Sequence, residues 1–257
     1  MPTAVAPFVA APPAFDPVVA AGIGGLAVLM ALTALAVVFR WQAAPRGPAV
    51  AAVAAWMAVT AAAARSGHLA RFDLTPPPMA VLVLSVFTLA FALGLGPVGT
   101  RLAHVVPLAT LIGLQAFRLP LELVMHRAAT LGIMPAEMSY SGYNFDIVTG
   151  AGALLLALAM RNGVAVPRAA VWAWNLWGLW CLAVIAVVAV GSSPMVRAFG
   201  DDPRHLNTWV LHFPYVWLPA VLVTLALAGH IVVAKALRRD WRGLTASRPH
   251  SYTAPVR

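Results

Sequence analysis

The sequence predicts an all-α fold, a polytopic transmembrane helix bundle of about seven spans, and three observations carry that expectation. Hydrophobic residues make up 61% of the 257 and charged residues only 10%, against about 25% charged in a soluble domain. Several apolar runs reach the roughly 20 residues that cross a bilayer as a helix, the form that satisfies its own backbone polar groups. Runs such as 179–190 and 216–228 are apolar on every face, whereas a membrane β-barrel shows alternating segments of about ten residues.

Hydropathy and helix breakers place the spans at 17–39, 48–65, 78–96, 103–126, 145–160, 169–191 and 209–234. Plain stop signals separate them: Pro45 to Pro48, Pro76-Pro77-Pro78, Gly96 to Gly99, Gly163 to Pro167 and Ser192 to Pro203. Residues 1–16 read as a short Ala- and Pro-rich tail, 17–236 as one transmembrane helical domain, and 237–257 as a basic cytoplasmic tail. No internal repeat is visible, which weighs against an inverted-repeat transporter. The single Cys181 lies in an apolar run and offers neither a disulfide framework nor a Cys-based metal site.

Lys and Arg positions set the expected orientation, N-terminus outside and C-terminus cytoplasmic. With that polarity the inner segments hold Arg40, Arg46, Arg101, Arg161, Arg168, Lys235, Arg238, Arg239, Arg242, Arg248 and Arg257, and the outer ones hold Arg65, Arg71, Arg127, Arg197 and Arg204. This is the positive-inside pattern of an inner (plasma) membrane protein. The net charge of +9 is thereby explained by topology and anionic lipid rather than by nucleic acid, since no stacking module accompanies the basic tail.

The fourth span carries the most informative residues. Arg118, Glu122 and His126 lie four apart and so share one helix face. Ionisable groups at membrane depth usually face a protein interior or a wet cavity with a partner, and Arg118 and Glu122 are expected to partner each other. Pro120 falls inside this ladder and withholds a backbone donor. The loop that follows supplies Asn144 and Asp146, either of which suits the cap of the fifth span. Together with Tyr215 of the seventh span they form the expected ligand-binding set: Arg118, Glu122, His126, Asn144, Asp146 and Tyr215. The expected arrangement is a polar pocket in the outer half of the bundle, open to the non-cytoplasmic side. Trp172 and Trp174 read as interfacial anchors, and Asn175 with Gly178 as a close helix contact holding one interhelical hydrogen bond.

Histidines leave two cofactor options open. Haem would use His104 with His230 on the inner side and His126 with His212 on the outer, and zinc would use His68, His126 and His205 or His212. No HExxH or comparable pair supports zinc. A retinal Schiff base has no Lys within the seventh span, since Lys235 falls at its border.

The segments Arg118-x-x-x-Glu122-x-x-x-His126, Asn144-Phe-Asp-Ile147, Trp174-Asn-Leu-Trp-Gly178 and Phe213-Pro-Tyr-Val-Trp-Leu-Pro219 followed by His230 resemble those of an uncharacterised family of bacterial multi-pass membrane proteins. The resemblance covers about residues 60–237 and implies the fold class without an activity. Three readings of function stand at this stage. One is a binding or transport protein for a small polar or anionic ligand, an ion or a proton. The second is a membrane-embedded enzyme with Glu122 or His126 as acid-base and Arg118 as anion stabiliser. The third is an accessory subunit, an oligomer or partner-bound component whose polar residues hold helices together.

Overall fold

The computed structural model describes residues 10–239; most of the expected N-terminal tail and the basic residues Arg242, Arg248 and Arg257 lie outside the described residues. Among the described residues the secondary structure is helical, with turns and no strand. Six stretches are long and apolar enough to cross a membrane: Pro17–Arg40, Arg46–Arg65, Pro78–Leu95, Leu108–Thr130, Arg168–Gly191 and Leu218–Arg238.

The chain runs through α1 (Pro17–Arg40), α2 (Arg46–Arg65), α3 (Pro78–Leu95) and a short α4 (Pro97–Val105). Asp16 starts α1 by accepting from the Val19 N–H at 2.9 Å, with Pro17 at the first helical position. Proline also begins α3 and α4. Sequence reading places the fourth span at 103–126, but Pro107 ends α4 near Val106 and the span begins afresh beyond it. It is built from α5 (Leu108–Gly113), a 3-10 turn at Leu114–Phe117 and α6 (Arg118–Thr130). Pro120 is the third residue of α6, where a missing N–H costs no helical bond, so it shapes a start rather than an open kink.

Next come α7 (Asp146–Arg161), α8 (Arg168–Gly191), a π-helical turn at Leu218–Val223 and α9 (Thr224–Arg238). Residues 209–217, expected as the outer part of the seventh span, form a 3-10 turn and further turns instead. The Ala220 carbonyl within the π turn accepts from Trp56 Nε1 at 2.8 Å and from Thr224 Oγ1 at 2.9 Å. Protein donors thus supply the partners that a distorted helix needs at this depth.

The most buried element is α9, against which α3, α4, α5 and α8 pack. Glycines set the closest approaches: a Cβ on Gly94 of α3 would meet Ile231 at 2.8 Å, and one on Gly150 of α7 would meet the Leu119 backbone at 2.4 Å. The periphery belongs to α2, tied in by the indoles of Trp56 and Trp217, the latter donating to the Met57 carbonyl at 3.2 Å. The two ends of the bundle differ. At one, Lys235 Nζ donates to the Leu95 carbonyl and Thr100 Oγ1, Arg239 reaches the Ala103 carbonyl and Arg168 the Leu237 carbonyl; this is the basic end. At the other, two folded loops, 131–145 and 192–217, are joined by His205 and Glu137 at 2.5 Å; this is the loop end.

Asp16 couples α1 to α6 at the loop end through Arg127, at 2.8 Å and 3.1 Å. Arg127 and the Val19 N–H together hold its carboxyl at about 2, below the ordinary 3.8. Because the folded value is depressed, the stabilisation is complete above about 3.8 and is lost as pH falls toward about 2. The melting temperature of Asp16→Asn should therefore fall below that of the wild type near neutral pH, with the gap closing as both are measured in increasingly acidic solution.

Candidate functional site

Four helices converge on Arg118, the first residue of α6. Its side chain is 1% exposed, as is that of Glu122, and His230 of α9 is wholly buried. Arg118 Nε donates to Asp146 Oδ2 at 2.5 Å, and Nη1 donates to His230 Nε2 at 2.6 Å. A guanidinium has donors only, so His230 Nε2 must be the unprotonated acceptor and Nδ1 must carry the ring proton. That proton goes to Asn175 Oδ1 of α8 at 2.9 Å. The line Asp146, Arg118, His230, Asn175 thus joins α7, α6, α9 and α8 through three hydrogen bonds.

A second line branches at the same depth. Asn144 Nδ2 donates to Glu122 Oε1 and Oε2 at 2.9 Å and 3.0 Å and lies 3.2 Å from the Met138 carbonyl. Asn144 Oδ1 accepts from the Asp146 N–H at 3.2 Å, a local turn that leads the chain into α7. Neither expected capping residue holds the N-cap of α7, which is Phe145: Asn144 precedes it, and Asp146 is the first helical residue and turns its carboxylate to Arg118. Arg118 and Glu122, expected to pair with each other, instead find partners outside their own helix. The reason is that loop 131–145 dips into the bundle and delivers Asn144 and Asp146 between them.

Of the six residues expected in a ligand-binding set, the structure brings Arg118, Glu122, Asn144 and Asp146 together at one locus. His126 sits one turn beyond Glu122 under the loop, 3.2 Å from Ser139 Oγ and stacked on Tyr140 with centroids 4.3 Å apart. Tyr215 does not join them. It packs on Trp209 at 5.1 Å in the apolar core beside α1, because its segment is not helical and a depth counted along a helix misplaces it. The expected open pocket is also replaced by a sealed cluster: loop 131–145 covers it, with Ile133, Met134, Met138 and Ser139 all buried.

His230, expected near a helix end as a haem candidate with His104, is the centre of the cluster. Both its ring nitrogens are engaged, and His104 Nδ1 lies 2.6 Å from the Thr100 carbonyl on its own helix. Among the described residues no group of three His, Cys, Asp or Glu is arranged to hold a metal ion. The sequence signal for His230 was the pair Asn175 and Gly178: a Cβ on Gly178 would lie 2.3 Å from His230 Cε1 and 2.7 Å from Thr149. Trp174, expected as an interfacial anchor, is buried; its Nε1 donates to the Thr149 carbonyl at 2.9 Å and its ring lies 5.3 Å from His230. Around the cluster, Gln115 Oε1, Arg118 Nη2 and Asn175 Nδ2 are buried without a hydrogen-bond partner.

Membrane-length helices around a buried, charged and hydrogen-bonded centre define a multi-pass helical membrane architecture. Residues 76–238 match a family model described as a domain of unknown function, DUF8737, and the chain belongs to that family. No curated protein and no solved structure matches it. The matched stretch holds every residue of the cluster, from Gln115 to His230, and leaves α1 and α2 outside.

Two outcomes follow from these contacts. Asp146→Asn removes the counter-charge of a buried guanidinium and should cost about 3–5 kcal/mol, read as a loss in thermal or detergent-induced unfolding; Glu122→Gln should cost clearly less. Equal costs would mean that Glu122 shares the neutralisation of Arg118. Gly178→Ala should destabilise by about 1–3 kcal/mol by pressing on His230, and the same unfolding measurement checks it.

Proposed function

We propose that the protein is a seven-span inner-membrane protein, N-terminus outside and C-terminus cytoplasmic, whose buried cluster binds one small positive charge, a proton or a monovalent cation. The seventh span in this reading is α7, which adds to the six long apolar stretches. The orientation is supported by the gathering of Arg101, Arg168, Lys235 and Arg239 at the basic end and of Asp16, Asp73, Glu137 and Asp202 at the other. Residues 17–236 act as one membrane domain between two tails.

The observation that carries the site is its charge balance. Two carboxylates, Glu122 and Asp146, face one guanidinium, and the hydrogen-bond pattern makes His230 neutral. One negative charge is left over, and an uncompensated buried charge costs several kcal/mol. Glu122 is also short of donors, because its two carboxylate oxygens share the single Asn144 amide. A bound proton or small cation balances the charge and supplies the interaction. The same balance turns the reading away from an anionic ligand. An enzyme in which Arg118 stabilises an anion would first have to release Asp146 or His230.

The test compares the wild type with Glu122→Gln, which removes the surplus charge without changing the shape. Infrared spectroscopy should show a protonated-carboxyl band in the wild type that the variant loses. If the occupant is a metal cation instead, sodium or potassium should raise the melting temperature of the wild type and leave the variant unchanged. A wild type with only ionised carboxylates and no response to either cation overturns the proposal. Topology is checked separately: reporter fusions after Arg101 and Arg161 should report cytoplasm, and those after Asp73 and Asp202 the outer side.

A further inference from the structure

The basic end carries a feature that the buried cluster does not use. Between the end of α3 and α4 lies a groove of about 660 Å³ lined by Leu95, Gly96, Pro97, Thr100, Arg101, His104 and Val105. The nine-residue α4 is bracketed by Pro97 and Pro107 and is amphipathic: Gly99 and Ala103 are buried against the bundle, while Arg101 and His104, three apart on the other face, are exposed. Leu95 and Val105 are exposed apolar residues at the two edges of the same groove.

The polar groups there are held in place by the fold. Lys235 Nζ bridges the Leu95 carbonyl at 2.6 Å and Thr100 Oγ1 at 2.7 Å, two residues that line the groove, which fixes its positive charge at the groove's edge and leaves one ammonium donor over. His104 Nδ1 lies 2.6 Å from the Thr100 carbonyl, so that nitrogen is the donor and Nε2 faces away from the helix backbone. Among the described residues no carboxylate lines this groove. Apolar edges beside a cationic rim, at the end of membrane-length helices, match a molecule with a hydrocarbon chain and an anionic head.

We infer that this groove is a binding site for an anionic phospholipid, with its phosphate against Arg101, His104 and Lys235 and the upper part of an acyl chain against Leu95 and Val105. The inference stands independently of what the Arg118 cluster binds. It goes beyond a general preference of basic surfaces for anionic lipid, because it assigns the lipid to α4 and not to the other basic residues of that end, such as Arg161 at the end of α7.

Native mass spectrometry of the purified protein tests it, with phosphatidylglycerol and phosphatidylcholine of the same acyl chains added in mild detergent. Phosphatidylglycerol should be retained preferentially. Each rim charge near the surface is worth about fivefold in binding, so Arg101→Gln should weaken retention by about that factor, and Arg101→Gln with His104→Gln by more, while Arg161→Gln leaves it unchanged. Equal retention of both lipids, or an equal loss in Arg161→Gln, overturns the assignment. Thermal stabilisation by inorganic phosphate as strong as that by phosphatidylglycerol also overturns it, since the acyl chain would then contribute nothing.

Discussion

The bundle depends on how one buried guanidinium is neutralised. Arg118 is too deep to reach water, so its charge has to be met inside the protein, and its partners come from two other helices, with a third behind them. Asp146 supplies the counter-charge, His230 accepts a second hydrogen bond, and Asn175 fixes the tautomer that lets it accept. Each of these demands shapes a neighbour. Gly178 must lack a side chain so that the imidazole fits, and Gly150 must lack one so that α7 comes close enough to present Asp146. In hydrocarbon, where helix association draws little from the hydrophobic effect, such packing and polar contacts are what specify which helices meet.

The same constraint accounts for the loop end. Non-helical backbone at membrane depth is tolerated only where protein surrounds it, and loop 131–145 meets that condition through its own turns and its buried methionines. Turn hydrogen bonds run from Ile133 to the Ala128 carbonyl and from Asn144 to the Ser139 carbonyl. The second loop covers the first, through His205 against Glu137 and Phe199 against Tyr143 with centroids 6.1 Å apart.

Much of this was legible in the sequence, and what was not has a physical reason. The spans were readable because length and uniform apolarity are local properties, and α2, α3 and α8 begin and end within two residues of where proline, glycine and arginine place them. Arg118, Glu122, Asn144 and Asp146 stood out because charged or amide groups amid apolar sequence need partners. The pairing itself was hidden. Helix geometry favours Arg118 with Glu122 four residues on, whereas the real partner is 28 residues away and reaches Arg118 only because the loop re-enters the bundle. His230 was hidden by its neighbours, since it lies five residues before Lys235 on a helix that ends in basic residues. Tyr215 was misplaced because a π turn and 3-10 turns break the rise per residue on which any estimate of depth relies.

The shortness of α7 has a consequence for the surroundings of the protein. With 16 residues it spans about 24 Å, while α1 and α8, with 24 residues each, span about 36 Å. Its outward residues Leu154, Leu155 and Leu158 are exposed, so this short wall forms part of the perimeter. In the seven-span arrangement proposed above, a bilayer around the bundle meets hydrophobic walls of unequal height. On the α7 side it must thin, or the whole bundle must tilt, at a cost of a fraction of a kcal/mol for each ångström of mismatch. In that arrangement the shortest wall is the helix whose first residue neutralises Arg118.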